Sequence, residues 1–132
     1  MNVKKITPVL YVKEIEPCVK FWSDRLGFQK TVEVPDGDRL GFVILQKGDL
    51  EIMYQSYASA AKDAPAIAKD IEGGGTFLYL EVDKLDPFIN AIKGANVVLP
   101  VRTTFYGAKE IGVKDPEGHV IVFAEMGASQ QK

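Results

Sequence analysis

The sequence is poor in residues that cross-link chains, coordinate metals or attract polyanions. Among its 132 residues there is one cysteine, Cys18, and one histidine, His119. A single cysteine excludes an internal disulfide framework. The net charge is −2 and like charges form no long block. This balance disfavours binding to the phosphate backbone of a nucleic acid.

Long hydrophobic runs are missing as well. No segment approaches the roughly 20 apolar residues of a membrane-spanning helix, and the start lacks the apolar core of a signal peptide. We therefore predict a cytoplasmic protein without a membrane partner. The length fits one domain, and a hydrophobic content of 46% is ordinary for a globular chain that needs no metal or disulfide to hold its core.

What the sequence does contain is an internal repeat. Residues 12–17 read Val-Lys-Glu-Ile-Glu-Pro, and residues 82–87 read Val-Asp-Lys-Leu-Asp-Pro. Each copy follows a short apolar run and opens an amphipathic segment whose proline suits the first turn of a helix. These segments end at Gly27 and Gly94. Two copies predict two modules within a single domain, at about residues 5–56 and 76–126, joined by a linker at 57–75.

Each module has the pattern of one strand, one helix and three further strands. In the first module we predict strands at 5–13, 28–34, 40–46 and 50–55 and a helix at 16–26. In the second we predict strands at 76–82, 96–101, 109–114 and 120–125 and a helix at 87–93. The linker predicts a loop with a short helix at 65–71. The expected fold class is therefore α+β.

Four motifs, taken in order, resemble the vicinal oxygen chelate superfamily, which includes glyoxalase I, extradiol dioxygenases and bleomycin resistance proteins. The motifs are Thr7-Pro8-Val9-Leu10-Tyr11-Val12, Phe21-Trp22 with Leu26-Gly27-Phe28, Tyr106-Gly107 with Glu110 and Val113, and Asp115-Pro116-Glu117-Gly118. The resemblance implies two βαβββ modules, each an incomplete barrel, whose curved mixed sheets surround a cavity. It also implies a homodimer.

Metal-dependent members of that superfamily hold a divalent cation with four His, Glu or Gln side chains, two from each module. Matching the motifs places these positions at Thr7, Glu51, Phe77 and Val122. Only Glu51 offers a strong donor, and one carboxylate cannot hold a metal in a catalytic geometry. Strand alternation puts His119 on the face opposite Val122, so it does not complete the set. We therefore expect a member with no metal and no other cofactor.

Period-two alternation predicts the side chains that line the expected cavity. The candidate ligand-binding residues are Glu51, Met53, Gln55, Phe77, Tyr79, Arg102, Phe105, Tyr106 and Val122. Apolar neighbours are expected to raise the pKa of Glu51, which would make it a catalytic base or a ligand anchor; a hydrogen-bonded carboxylate without chemistry is the other interpretation. Phe77 and Tyr79 are either cavity walls or core aromatics. Arg102 opens a stretch that either closes over a ligand and grips its carboxylate or forms an ordinary hairpin.

Three functions remain open at this point. The first is metal-free binding of a small, partly apolar organic molecule in an aromatic-lined cavity, as in the bleomycin-resistance-like branch. The second is a metal-dependent lyase or oxygenase of the glyoxalase type, which needs ligands from other positions. The third is a metal-free isomerase or lyase that uses Glu51 as its base. The replaced metal ligands and the retained aromatic residues favour the first.

Overall fold

The computed structural model describes residues 1–2, 4–65, 68, 77–104 and 107–127. The chain divides into two compact units, Met1–Gly74 and Gly75–Lys132. Each unit contains one four-stranded mixed sheet. No helix in the described ranges is long and apolar enough to cross a membrane.

The first unit is built on a sheet with the strand order β1-β4-β3-β2. Its strands are β1 (Val9–Val12), β2 (Gln29–Asp36), β3 (Arg39–Lys47) and β4 (Leu50–Ser56). β1 is parallel to β4, and the other neighbours are antiparallel. Helix α1 (Glu16–Lys20) follows β1 and continues as a π-helical turn, Phe21–Arg25; helix α2 (Tyr57–Asp63) follows β4.

The second unit repeats this topology with the strand order β5-β8-β7-β6. Its strands are β5 (Leu78–Val82), β6 (Asn96–Thr103), β7 (Lys109–Lys114) and β8 (Val120–Glu125). Helix α3 (Asp86–Ala91) connects β5 to β6. β5 is parallel to β8, and the other pairs are antiparallel. The predicted α+β class with two βαβββ modules is confirmed.

Both module helices begin within one residue of the predicted position, whereas the second ends at Ala91, two residues before the predicted end. Pro17 and Pro87 lie in the first turn, where a missing N–H removes no helical hydrogen bond. Gly27 and Gly94 follow the helices with φ of 75° and 88°, a backbone region that glycine enters without a Cβ penalty. These residues therefore favour a helix start at each proline and a change of chain direction at each glycine.

Each sheet packs one face against its helix. In the first unit the indole Nε1 of Trp22 donates a hydrogen bond to the Tyr54 hydroxyl at 2.8 Å, and both residues are buried. In the second unit the Phe88 ring stacks on Phe123 with centroids 5.3 Å apart. We call the opposite side of each sheet its open face. The open face of the first sheet carries Val9, Tyr11, Phe42, Ile44, Gln46, Glu51, Met53 and Gln55. The open face of the second carries Tyr79, Glu81, Leu99, Arg102, Glu110, Gly112, Lys114, Val122 and Ala124.

Two segments of the first unit differ from the prediction. β1 begins at Val9 instead of residue 5, because Pro8 has no N–H to donate to a ladder. α2 occupies residues predicted to be loop. Its N-cap is Ser56, whose hydroxyl accepts from the Ser59 N–H at 3.1 Å, and this cap was missed in the sequence. The helix predicted at 65–71 lies largely outside the described residues.

Candidate functional site

β4 brings three of the predicted ligand-binding residues to the open face of the first sheet. Glu51, Met53 and Gln55 alternate with buried residues along the strand. The parallel pairing with β1 sets Val9 beside Met53, and the Gln55 amide donates to the Ser59 hydroxyl at 3.2 Å. This face is therefore apolar around Met53 and polar at Glu51 and Gln55.

Three donors hold the Glu51 carboxylate. Oε2 accepts from the Thr7 hydroxyl at 2.9 Å and lies 2.8 Å from Lys5 Nζ, while Oε1 accepts from the Gln46 amide at 2.8 Å. The Glu51 side chain is only 7% exposed. The hydrogen bond from Lys5, followed by that from Thr7, lowers the pKa of Glu51. The expectation of a raised pKa is wrong, because the nearest groups are hydrogen-bond donors that stabilise the charged form.

A polar pocket lies at one end of the first sheet. Its volume is about 330 Å³, and it is lined by Gly27, Gln29, Thr31, Gln46, Lys47 and Gly48. The Lys47 ammonium donates to the Leu26 carbonyl at 2.9 Å, which ties the end of the first helix to β3. Because these walls lack apolar side chains, the pocket suits a partly apolar ligand less well than the open faces do.

In the second unit, Phe77, Tyr79 and Val122 lie on or beside the first and last strands. Tyr79 pairs with Val122 across β5 and β8, and Val122 pairs with Gly112 across β8 and β7. Phe77 immediately precedes β5. The exposed fractions of Phe77 and Tyr79 are 56% and 44%, whereas Val122 is 6% exposed. Neither ring is a core residue, which leaves both accessible to a ligand.

The buried carboxylate of Glu110 joins two of the predicted residues. Glu110 is 2% exposed. Its Oε2 accepts from the Tyr79 hydroxyl at 2.6 Å, and its Oε1 accepts from Arg102 Nε at 3.1 Å and Nη2 at 2.9 Å. Because β8 lies between β5 and β7, the Tyr79 side chain passes over β8 to reach Glu110. Ala124, the β8 residue paired with Glu110, is fully buried.

Sequence reasoning did not select Glu110, Lys5 or Gln46. The signal for Glu110 was its place in β7, where it shares a period-two face with Gly112 while Ile111 and Val113 are buried on the other face. The contacts of Lys5 and Gln46 depend on how β1, β3 and β4 are aligned, which a single sequence does not reveal. The predicted residues Phe105 and Tyr106 lie outside the described residues.

The side chains at the four positions implied by the family resemblance do not fit a divalent cation. In the first unit Glu51 is already bonded by three donors, and Thr7 has only a hydroxyl, which donates to it. In the second unit Phe77 and Val122 carry no donor atom for a metal. Within the described ranges, no group of three or more His, Cys, Asp or Glu side chains could hold a metal ion. These positions offer hydrogen bonds and apolar contact instead of a coordination set.

Solved structures with this fold come from several proteins. A glyoxalase/bleomycin resistance protein/dioxygenase family enzyme from Burkholderia phytofirmans PsJN is 19% identical, with a TM-score of 0.74 over 92% of this chain and 97% of that chain. A lactoylglutathione lyase from Agrobacterium tumefaciens is 14% identical, with a TM-score of 0.72 over 95% and 96%. A bleomycin-binding protein complexed with bleomycin is 20% identical, with a TM-score of 0.65 over 95% and 100%.

At these identities the structural similarity establishes the fold alone. No curated protein matches the chain by sequence. The model of the Glyoxalase/Bleomycin resistance protein/Dioxygenase superfamily matches residues 5–123, which is most of the chain. The chain therefore belongs to the glyoxalase/bleomycin resistance protein/dioxygenase superfamily.

Proposed function

We propose that this chain is a metal-free member of its superfamily and binds a small, partly apolar organic molecule. The observation that carries the proposal is the state of Glu51. At the one family ligand position that retains a strong donor, the carboxylate is held by Lys5, Thr7 and Gln46. An ammonium group already supplies the positive charge that a cation would bring. The proposed role of this region is therefore to bind without a metal.

The lowered pKa of Glu51 argues against its use as a general base. A base works best when its pKa lies near the working pH. The Lys5 hydrogen bond moves the pKa of Glu51 below its ordinary value instead. A carboxylate in this state is a weak proton acceptor, and its oxygens are already engaged. This favours a binding protein over the metal-free isomerase or lyase.

The apolar side chains that remain exposed support an organic ligand. Val9, on the open face of the first sheet, is 37% exposed, and Phe77, just before β5, is 56% exposed. Exposed rings and aliphatic groups beside a few fixed polar groups are typical of small-molecule sites. Within either unit, a ligand would place its apolar part on such a side chain and its polar atoms near the hydrogen-bonded cluster of that same unit.

Equilibrium dialysis of the purified chain against a panel of small organic molecules tests the proposal, together with elemental analysis of the same sample. We expect at least one retained compound and no stoichiometric metal. Retention should survive in Glu51→Gln and weaken in Phe77→Ser. Leu50→Ser is the matched control, because Leu50 is 62% exposed but follows the strand parity of the helix-covered face.

Two results would reject the proposal. Stoichiometric nickel, zinc, iron or manganese would favour the glyoxalase-type enzyme. A panel from which no compound is retained would remove the binding function. The homodimer implied by the family is part of the same proposal, and light scattering of the purified chain measures it. The cytoplasmic location stays a prediction.

A further inference from the structure

The guanidinium group of Arg102 is oriented by a buried partner and directed outward. A guanidinium carries five N–H groups in a fixed plane. Glu110 accepts from Nε and Nη2 and so occupies one edge of that plane. Within the described part of the chain, Nη1 donates to no other group. The Arg102 side chain is 55% exposed, whereas the Glu110 side chain is 2% exposed. The outer edge of the guanidinium is therefore a preorganised pair of donors.

The positive charge of Arg102 is balanced by the buried carboxylate of Glu110. Glu110 supplies one negative charge within hydrogen-bond distance of Arg102. Among the described residues of these four strands, the other charged side chains on this open face are Glu81 and Lys114, so the four charges sum to zero. The strand pairing sets four residues side by side across the sheet, in the order Glu81, Ala124, Glu110 and Arg102. Glu81 is therefore three strand spacings from Arg102, or about 14 Å. That separation exceeds the Debye length of about 8 Å at physiological salt, so the local balance is set by the Arg102–Glu110 pair.

Apolar surface adjoins the donor edge. The next cross-strand row contains Tyr79, Val122, Gly112 and Leu99. Gly112 has no room for a side chain, because a Cβ there would lie 2.9 Å from the Leu99 Cβ. Of these four residues Tyr79 is exposed and Leu99 is half-buried, whereas Val122 and Gly112 are buried. A ligand on this face therefore meets two N–H donors of a charge-neutral pair beside one aromatic and one aliphatic side chain.

We infer that the open face of the second sheet recognises neutral organic molecules that present a carbonyl oxygen to Arg102, and that Glu110 is the positioning residue that makes the site select neutral over ionic ligands. This inference rests on the proposed binding function and deepens it. A carbonyl oxygen accepts both outward N–H groups without bringing a charge. A carboxylate would meet the negative charge of Glu110 behind the guanidinium, and an ammonium would meet the N–H groups themselves.

Three probes with one ring and different charge test this selectivity. Benzamide is neutral, benzoate is an anion and benzylammonium is a cation. Binding is measured by titration with NMR detection, following the Arg102 Nε–H signal and the probe signals at low and high salt. We expect benzamide to bind about tenfold more tightly than either ion, because an ion loses more hydration than a neutral amide when it binds beside a charge-neutral pair. Benzamide binding should be insensitive to salt.

Variants separate selectivity from folding. Glu110→Gln keeps an oxygen for Arg102 but removes the compensating charge, so the preference should change from benzamide to benzoate. Arg102→Met should remove the preference for benzamide. Glu81→Gln is the matched control, because it removes an exposed acid in the same row and should leave the order of affinities unchanged. Circular dichroism and thermal unfolding confirm that each variant is folded.

The outcomes distinguish the two proposals. If the wild-type chain prefers benzoate, or if Glu110→Gln leaves the order of the probes unchanged, the inference about neutral ligands is wrong while the binding function stands. The inference also fails if the wider panel yields a retained compound and none of the three probes binds. If no compound of the panel and no probe binds, both proposals fail.

Discussion

The hydrogen bond between Trp22 and Tyr54 connects the first helical segment to the first sheet, and the change Tyr54→Phe tests its contribution to stability. Trp22 Nε1 donates to the Tyr54 hydroxyl at 2.8 Å. Trp22 is 1% exposed and Tyr54 is fully buried. The change keeps the ring and its packing but removes the acceptor of a buried N–H. Such an unpaired donor costs about 1–3 kcal/mol, and because neither residue reaches water we expect a loss of about 2 kcal/mol.

Urea unfolding followed by tryptophan fluorescence measures this loss. Trp22 is the single tryptophan of the chain, so its emission reports on the unit that contains it. With a slope of about 2 kcal/mol per molar urea, the midpoint should fall by about 1 M. Tyr57→Phe is the matched control. Tyr57 begins α2 and is 36% exposed, so its loss should stay within about 0.5 kcal/mol.

A loss below about 0.5 kcal/mol for Tyr54→Phe would refute the reasoning, because the indole N–H would then have another acceptor. A double-mutant cycle gives a second check. In a Trp22→Phe background there is no N–H to leave unpaired, so adding Tyr54→Phe should cost less than it does in the wild-type chain. Circular dichroism follows this pair, since the tryptophan signal is absent.

Two further changes test other contacts. Gly112→Ala should destabilise the second unit by about 1–3 kcal/mol, because the new Cβ would lie 2.9 Å from the Leu99 Cβ; unchanged thermal unfolding would contradict the close approach. Lys5→Met should raise the pKa of Glu51 towards its ordinary value of 4.5, measured by NMR titration of the carboxyl carbon. The folded pKa of Glu51 lies below its unfolded value, so its contribution is present above about pH 4.5 and is lost as the pH falls through the folded pKa. Lys5→Met should weaken this acid dependence, and an unchanged titration would mean that Thr7 and Gln46 alone set the pKa.

Much of the fold followed from local pattern. The strands at β7 and β8 have the predicted bounds, because alternating or apolar runs between turn residues leave little ambiguity there. Each module helix begins one residue before its repeated proline, because a helix tolerates proline without loss only in its first turn. α2 was missed because its N-cap, Ser56, follows directly on a strand, where a serine is also compatible with a loop.

The candidate site was only partly accessible to sequence reasoning. Alternation placed Glu51 with Met53 and Tyr79 with Phe77, since residues two apart share a face. It did not reveal that Tyr79 and Arg102 share the carboxylate of Glu110, because these contacts join residues 31 and 8 positions apart on three different strands. The direction of the pKa shift of Glu51 was also wrong, because the identity of its neighbours depends on the alignment of the strands.

The sequence by itself determined the two modules, their order of strands and helix, and the family, because a repeat and its turn residues are local features of the chain. The resemblance also led to the prediction, which stays a prediction, that Thr7, Phe77 and Val122 stand where metal ligands would be expected. Only the tertiary structure decided which charges meet. The alignment of β1, β3 and β4 brings Lys5 and Gln46 to one carboxylate, and the second sheet brings Arg102 to the other. Hydrogen bonds act over about 3 Å. Which groups come that close to a buried charge depends on the register of neighbouring strands, and this register is visible only in the folded structure.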